Sequence, residues 1–447
     1  MYIGVRQRKV RIDMKNSTKR FATAIMTALM ATSMMTGCNK DTNRKNKKDS
    51  EETTVSANMQ ELPEIKRNPV KAANEVDNYR LAGYTNFSIE LLKNSYEGNN
   101  TMVSPLSVMA ALGMTMNGAD AETLAQMEEM MGMSLDEVNE LMYIYNEMYC
   151  GEEIKQANSI FLNSKNNYTI QQDFRQSIVD YYNSDIQVGL FDDSMVKYIN
   201  DFVDTNTNHR IDSIIKKLDP ERDEMVLVNA LTFDAKWGSP FEGDAIHDRE
   251  FTMENGETFT VSMMFDEIYG GYLCGDNEEG FIKRYEDGNY AFVALLPEEG
   301  MTMADYLATL DADEINAMLL QGGDGDVCLG LPAFETSYAN TLVPALKNMG
   351  MVDAFGRDAN FTKMLTKADG EDAELYVSDV IHKTYIKVDS EGTEAAAATA
   401  VVMVDKATAV EVDTHFVTLD RPFVYMIVDC NTNMPVFIGA YNGLEQM

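Results

Sequence analysis

The segment that decides the fold of this chain lies near its C-terminal end. Its sequence is Ser390-Glu391-Gly392-Thr393-Glu394-Ala395-Ala396-Ala397-Ala398-Thr399-Ala400-Val401-Val402-Met403-Val404. Alanine is the best helix former, so propensity alone predicts a short helix, whereas the β-branched residues from Thr399 onward favour a strand. Composition leaves both interpretations open.

As a strand, the segment would have small or apolar side chains on one face and Glu394 on the other, because side chains alternate along a strand. The small face would comprise Thr393, Ala395, Ala397, Thr399, Val401 and Met403. No large or charged side chain on that face would obstruct entry into the middle of a sheet. Gly392 would supply backbone freedom where the segment pivots.

Outward from this segment, other motifs follow one another through residues 80–445. They are NTMVSPLS (100–107), LVNALTF (227–233) leading to Trp237 and Phe241, LKNMGMVDAF (346–355), VIHK (380–383) and DRPF (420–423). Together with EGTEAAAAT (391–399), which resembles the hinge of an inhibitory reactive-centre loop, they are similar in kind and order to the motifs of the serpin family.

The resemblance implies an α+β fold of about nine helices around three β-sheets, with a reactive-centre loop exposed at one end. It implies a single-use inhibitor of serine proteases, whose cleaved loop inserts into the central sheet and traps the acyl-enzyme. It also implies that Ser104, Asn229 and His382 form a hydrogen-bonded shutter beneath the sheet. Trp237 is expected at the breach, where insertion begins.

The same resemblance places the scissile bond fourteen residues after Gly392, between Lys406 and Ala407. Lys406 is also the only lysine or arginine between Lys387 and Arg421. A lysine before the scissile bond suits the carboxylate-lined pocket of a trypsin-like protease. The alternative is that Lys406 is only a solubilising charge.

Three departures from the family pattern affect the predicted target. The stretch 407–422 is about five residues longer than in familiar serpins, so cleavage after Val404, Thr408 or Ala409 by an elastase-like enzyme stays open. Asp405 lies beside the predicted bond, where a charge reduces cleavage by some trypsin-like enzymes. Ser390 stands where the family usually has an acidic hinge residue. Serine cannot form the ion pair that would hold the uncleaved loop outside the sheet.

Two other classes of function compete with inhibition. A non-inhibitory serpin-fold protein that binds or carries a ligand tends to have bulky or charged hinge residues, unlike Ala395, Ala396, Ala397 and Ala398 here. A hydrolase needs a nucleophile and a base, yet no G-x-S-x-G or H-E-x-x-H motif is present. We therefore expect no enzyme, and no cofactor or metal, since the acidic loop at 322–326 lacks the glutamate that an EF-hand requires.

The amino-acid composition and the net charge limit the classes of partner that this chain can bind. Hydrophobic residues make up 45% of the 447 residues and charged residues 24%, which is typical of a globular chain. The formal net charge is -35, and nucleic-acid binding needs a basic surface. We expect no nucleic acid, no heparin-like polyanion and a monomer.

The N-terminal residues predict export. Lys15, Lys19 and Arg20 precede an apolar run at 21–36, the layout of a secretory signal peptide that is too short to span a membrane. The sequence MTGC (35–38) resembles a bacterial lipobox with Met where Leu is usual, so Cys38 is the predicted lipidation site. Ordinary signal-peptide cleavage is the alternative.

The expected organisation is therefore a signal peptide over 1–38, a flexible polar tether over 39–78 and one serpin domain over 79–447. We expect an exported lipoprotein at the outer membrane or cell surface of a bacterium, touching the membrane only through its anchor. The remaining cysteines are scattered and lack metal-ligand spacing, which leaves their disulfide state open. They are Cys150, Cys274, Cys328 and Cys430.

Periodicity gives a coarse secondary structure. Apolar residues three to four apart predict helices at 87–92 and 105–112, and Ser104 followed by Pro105 is a typical helix start. Continuous apolar runs predict strands at 225–233, 290–297 and 423–428. Early helices followed by late strands favour the α+β class.

Overall fold

The computed structural model describes residues 59–73, 75–166, 168–322, 325–367, 374–393 and 413–443. No helix within these ranges has the length and apolar content to cross a bilayer. The described ranges contain nine α-helices: α1 (Asn78–Ser95), α2 (Pro105–Met116), α3 (Ala121–Met131), α4 (Leu135–Met148), α5 (Gln172–Tyr182), α6 (Asp193–Asn206), α7 (Met303–Thr309), α8 (Ala312–Gln321) and α9 (Val343–Asn348).

Strands dominate the second half of the chain. Those in the described ranges are β1 (Thr101–Val103), β2 (Ile154–Asn163), β3 (Thr169–Ile170), β4 (Gln187–Gly189), β5 (Met225–Phe233), β6 (Ala235–Lys236), β7 (Ile246–Thr252), β8 (Thr258–Tyr269), β9 (Tyr272–Cys274), β10 (Glu278–Arg284), β11 (Tyr290–Pro297), β12 (Asp326–Pro332), β13 (Phe334–Thr341), β14 (Leu365–Thr366), β15 (Val377–Val388), β16 (Gly392–Thr393), β17 (Thr414–Thr418), β18 (Phe423–Asp429) and β19 (Pro435–Tyr441).

These strands form three main sheets. Sheet A has the order β4-β2-β5-β15-β16-β6, with β13 paired to the other edge of β15. Sheet B has the order β1-β19-β18-β11-β10-β9, and sheet C has the order β17-β12-β8-β7. A two-stranded ladder of β14 and β3 completes the pairing. The predicted α+β architecture of helices around three sheets is confirmed.

The local signals explain where the central elements begin. Ser104 caps α2 by accepting a hydrogen bond from the backbone of Ser107, and Pro105 occupies the first turn, where its missing N–H is not needed. Every residue of α2 is buried. The predicted helices and the three predicted strands all lie within observed elements of the same type.

Sheet A is covered on both faces, which explains why β5 is buried throughout. Its odd-numbered residues, such as Leu227, join the large core cluster that also contains α2. Its even-numbered residues, such as Val228, join a second cluster with Ile199 and Val203 of α6. Because Asn229 is odd-numbered, its side chain points to the α2 side of the sheet.

The last part of the predicted tether contacts the domain. Met59 bridges Gly189 of β4, and the backbone N–H of Gln60 donates to the Val188 carbonyl at 2.8 Å. Arg67 donates to the carbonyl of Asp180 on α5 at 3.0 Å. A polar segment can dock in this way through hydrogen bonds without burying large apolar side chains. The described part of the tether is therefore attached rather than free, and a flexible tether stays a prediction for 39–58.

Candidate functional site

The central feature of the candidate site is a change of partner along β15. From Met225↔Val377 to Leu231↔Thr384, β15 pairs directly with β5 in parallel. Beyond that point Val388 pairs instead with Thr393 of β16 in antiparallel fashion. Strand β16 lies between β15 and β6, so the first two residues of the predicted hinge already form a strand at the top of sheet A.

The rest of the predicted loop lies outside the described residues. This applies to Glu394, Ala395, Ala396, Ala397, Ala398 and Thr399 of the hinge, to the predicted bond between Lys406 and Ala407, and to Cys38. The chain is described again from Asp413, where it enters β17 of sheet C. The loop therefore connects the top of sheet A to the edge strand of sheet C.

Gly392 is required by close approach of the backbone. A Cβ atom at this position would lie 2.2 Å from the Ala235 carbonyl oxygen and 2.8 Å from the Cα of Lys236. Real Cβ contacts are never this short, so any side chain would push β16 away from β6. The sequence predicted glycine here for backbone freedom, whereas the structure gives a steric reason.

Thr393 is fully buried, and its hydroxyl is 2.7 Å from the hydroxyl of Tyr285. The Tyr285 ring stacks on Trp237 with the ring centroids 4.6 Å apart. Burial raises the pKa of Tyr285 far above its ordinary value, so this hydroxyl is protonated at neutral pH. The start of the loop is thereby fixed to an aromatic cluster.

Trp237 holds the turn that precedes β16. Its indole nitrogen donates to the Asp389 carbonyl at 2.8 Å, and its backbone N–H donates to the Glu391 carbonyl at 3.0 Å. The backbone N–H of Phe241 donates to the Ser390 carbonyl at 3.0 Å. Trp237 therefore lies at the point where β16 begins, and the start of insertion at this point stays a prediction.

A buried lysine supports this cluster. Lys283 is 2% exposed, its ammonium nitrogen is 2.5 Å from a carboxylate oxygen of Asp266, and it lies 4.4 Å from the centroid of the Phe241 ring. Removal from water lowers the pKa of Lys283, which the charge of Asp266 partly offsets. Neither Lys283 nor Tyr285 could be predicted as a site residue, since neither lies in a recognisable motif and Tyr285 contacts Thr393 across 108 residues.

Below the change of partner, three predicted residues form one hydrogen-bonded group. The imidazole Nε2 of His382 accepts from the backbone N–H of Ser104 at 3.1 Å. Because Nε2 is an acceptor, the proton of a neutral ring resides on Nδ1, which donates to the side-chain oxygen of Asn229. His382 and Asn229 are also register partners across β15 and β5.

Burial sets the charge of this group. His382 is fully buried, and removal from water lowers its pKa to about 3, so the ring is neutral at physiological pH. The side-chain nitrogen of Asn229 is also buried, and it has no hydrogen-bond partner among the described residues. Within the described part of the chain, this unsatisfied donor lies where β5 and β15 meet.

Neighbouring polar residues extend the group across the sheet. Asn158 of β2 is the register partner of Asn229, and its side-chain oxygen accepts from the Ser107 hydroxyl at 2.7 Å. The Ser104 hydroxyl donates to the Val436 carbonyl of sheet B at 2.9 Å. Ser107 lies in the motif at 100–107 but was not predicted to join the site, and Asn158 was not predicted at all, although a polar residue in the middle of a buried strand is the signal that identifies it.

The remaining candidates do not join the site. The four described cysteines are free: Cys150, Cys274, Cys328 and Cys430. Burial raises the pKa of the Cys150 thiol to about 11, so it is unreactive at neutral pH. No group of three or more His, Cys, Asp or Glu able to hold a metal occurs in the part of the chain that the structure describes.

Comparison with known proteins identifies the family of this chain. The sequence profile of the family described as serpin (serine protease inhibitor) matches residues 82–443. The chain belongs to the serpin family. Serpins are for the most part protease inhibitors rather than catalysts, and some members do not inhibit.

Individual relatives agree with the family assignment. Rat neuroserpin is 27% identical over 374 residues, which are 80% of this serpin and 89% of the relative. The crystal structure of the thermophilic serpin tengpin in its native state superposes with a TM-score of 0.78 at 40% identity, covering 85% of this chain and 98% of that one. The same protein in its latent state gives a TM-score of 0.71 at 36% identity, with coverages of 84% and 100%.

Proposed function

We propose that this serpin is a single-use inhibitor of serine proteases that traps the acyl-enzyme when the cleaved loop enters sheet A between β5 and β15. The observation that carries the proposal is the position of β16. Gly392 and Thr393 both pair with β6, and Thr393 also pairs with β15, directly above the point where β5 and β15 meet. Further insertion only has to continue a strand that has begun.

The observed register predicts where each loop residue would lie. If the antiparallel pairing of Thr393 with Val388 continued, Thr399 would lie opposite His382 on β15. If the pairing of Thr393 with Ala235 continued, Thr399 would lie opposite Asn229 on β5. Both extensions converge on two residues that are themselves paired, so Thr399 would come between them and offer a hydroxyl to the unsatisfied Asn229 amide.

The energetics favour insertion after cleavage. The inserted strand would replace one ladder, between β5 and β15, with two, and so form about one additional hydrogen bond per inserted residue. With about 1 kcal/mol net per bond and roughly a dozen residues, the driving force is on the order of 10 kcal/mol. This is comparable to the stability of a whole domain, which is enough to distort a tethered protease.

We further propose that Lys406–Ala407 is the scissile bond and that the target is trypsin-like. Support comes from the count from Gly392 and from the isolation of Lys406 in an otherwise non-basic stretch. An elastase-like target, cut after Val404, Thr408 or Ala409, is the competing assignment. The protein is proposed to act as a monomer.

We also propose that the protein is exported and is attached to a bacterial membrane by a lipid. Cys38 is the proposed lipid-bearing residue of a bacterial envelope lipoprotein, on the strength of the lipobox-like sequence before it. Expression of the full chain and of Cys38→Ser, followed by detergent phase partitioning, tests this. The Cys38 protein should enter the detergent phase and the variant should not; equal partitioning of both would contradict the anchor.

Thermal stability after cleavage distinguishes an inhibitor from a ligand carrier of the same fold. A metalloprotease forms no acyl-enzyme, so it can cut the loop without being trapped. Insertion should then raise the unfolding temperature of the cut protein by on the order of 10–20 °C. A cut within residues 394–412 that leaves the unfolding temperature unchanged would favour the carrier.

A further inference from the structure

Two glutamate side chains lie close together between sheet B and the start of α8. A Cβ atom on Gly275, in the turn between β9 and β10, would lie 2.1 Å from Oε1 of Glu278 and 2.9 Å from Oε1 of Glu314. Glu278 begins β10 and is 7% exposed, and Glu314 is half-buried in the first turn of α8. The absence of a side chain at position 275 therefore leaves the space in which the two carboxylates approach each other.

Glu314 connects α8 to this turn. Its Oε1 accepts a hydrogen bond from the backbone N–H of Asp276 at 3.2 Å. The turn itself is closed by the backbone N–H of Gly275, which donates to the Glu278 carbonyl at 3.0 Å. Because the carboxylate of Glu314 bonds to the turn that Glu278 ends, a change of charge on either side chain acts on the contact between α8 and sheet B.

A third polar group points to the same place. Tyr306 of α7 is fully buried, and its hydroxyl has no hydrogen-bond partner among the described residues. Burial raises the pKa of Tyr306, and the negative charges of Glu278 and Glu314 raise it further, so its hydroxyl lies near both carboxylates. Leaving a buried hydroxyl unpaired is unfavourable, so a glutamate oxygen within its reach would be a stabilising acceptor.

The charges that act on Glu278 are negative. They belong to Glu314 on α8 and to Asp276 in the turn. The elements around the turn carry these further ionisable groups: Tyr272 and Cys274 on β9, Glu298 after β11, Tyr306 on α7, Asp313 on α8 and Lys93 on α1. Only Lys93 in this set is positive, and its ammonium pairs with Glu90 at 3.1 Å. Burial and the charge of Glu314 therefore raise the pKa of Glu278 to about 7.

We propose that Glu278 and Glu314 form a pH-sensitive contact, which holds α8 against the β9–β10 turn while the two carboxylates share one proton. The protonated carboxyl donates to the ionised one, and the Tyr306 hydroxyl donates to the pair. When the proton leaves, two negative charges remain side by side in a largely buried site, where water screens their repulsion poorly, so α8 separates from the turn. The contact belongs to sheet B and not to β5 and β15, so this inference is independent of the proposed function.

The contact should stabilise the protein in weak acid. The pKa of an unfolded glutamate is about 4.5, whereas that of folded Glu278 is about 7. Between these values the folded state binds more protons, so the stabilisation is complete below about pH 4.5 and is lost as pH rises through about 7. From about pH 5.5 to about pH 7.5, Glu278 should lower the folding equilibrium constant about tenfold. Comparison with a variant separates this contribution from those of other titrating groups.

The test measures urea unfolding at these two pH values in wild type and three variants. Glu278→Gln has the shape of the protonated carboxyl and cannot ionise, so its folding equilibrium constant should gain about tenfold relative to wild type as pH rises. Glu314→Gln removes only the neighbouring charge, so it should weaken the pH dependence without abolishing it. Glu279→Gln is the matched control, because Glu279 points to the opposite face of β10 and its variant should keep the wild-type pH dependence.

Amide hydrogen exchange locates the change. After correction for the intrinsic rate at each pH, the amides of α8 should exchange faster at the higher pH in wild type but not in Glu278→Gln. A constant difference in stability between wild type and Glu278→Gln would overturn the proposal, and so would a wild-type pH dependence in Glu314→Gln. If millimolar calcium chloride at the higher pH raised the unfolding temperature of wild type but not of Glu278→Gln, the two glutamates would bind a cation instead, and the proposal would be wrong.

Discussion

The indole nitrogen of Trp237 donates its hydrogen to the carbonyl oxygen of Asp389, 2.8 Å away. This bond joins the segment after β5 to the turn that starts β16. The side chain of Trp237 therefore links the segments that follow β5 and β15, the two strands that must separate during insertion. This link is present in the uncleaved protein.

Trp237→Phe should destabilise the intact protein by about 1–3 kcal/mol, because it leaves the Asp389 carbonyl without its donor and opens a small cavity. Urea unfolding of the uncleaved protein measures this change. Tyr79→Phe, at an exposed position, is the control. A Trp237→Phe protein as stable as wild type would mean that the bond does not hold the turn.

Gly392→Ala should spread β16 from β6, since the new Cβ would meet the Ala235 carbonyl at 2.2 Å. We expect about 1–3 kcal/mol of destabilisation, the usual range for an overpacked site, together with more inhibitor consumed per protease. Gly356→Ala is the matched control, because a Cβ there would meet nothing within 4 Å. Equal effects of the two substitutions would contradict the steric argument.

The buried His382 should make the intact protein less stable in acid. Unfolded histidine binds a proton below about pH 6.5, whereas folded His382 does not until about pH 3. Between these values the unfolded state binds more protons, so stability falls as pH falls, by up to about 1.4 kcal/mol per pH unit from this residue.

The measurement for His382 is denaturant unfolding between pH 7 and pH 4 in wild type, His382→Gln and His209→Gln. The difference in the free energy of unfolding between wild type and His382→Gln should shrink as pH falls, because only the wild type is destabilised by protonation of His382 in the unfolded state. The side chain of His209 is 76% exposed and pairs only at the surface with Asp204, so its variant should differ from the wild type by less than about 1 kcal/mol at every pH. If the free energy of unfolding of His382→Gln relative to wild type did not change with pH, the folded protein would not suppress protonation of the His382 ring.

Thr399→Glu should convert the inhibitor into a substrate. The extended register would bring residue 399 between Asn229 and His382, where a charged side chain cannot be accommodated, and a glutamate adds no new site for trypsin. Trypsin should cut this variant and dissociate, and the cut product should show no rise in unfolding temperature. Glu394→Gln is the control, because residue 394 has the opposite parity and would lie beside the exposed Asp234, so this variant should retain inhibition. Normal trapping by Thr399→Glu would refute the register.

The sequence predicted much of this structure because the signals were local. Periodicity located α2 and β5, the pair Ser104-Pro105 located the start of α2, and the order of motifs indicated the fold. The grouping of Ser104, Asn229 and His382 came from the family resemblance, since their separations in sequence exceed one hundred residues.

Other features depend on contacts that no local pattern encodes. The hydroxyl pair of Tyr285 and Thr393 joins residues 108 positions apart. Glycine is required at position 392 because the carbonyl of Ala235 lies close to it in the folded sheet. Arg67 contacts Asp180 on a surface that forms only when the domain folds.

The most direct test of the central claim is to mix the domain, from residue 59 onward, with trypsin and to analyse the products on denaturing gels with mass spectrometry. The account predicts a covalent complex of summed mass, lacking the peptide that begins at Ala407, which is released on denaturation. A catalytic-serine variant of trypsin should give no such complex. Clean cleavage of the loop, with fully active trypsin and no complex with trypsin or elastase, would contradict the account.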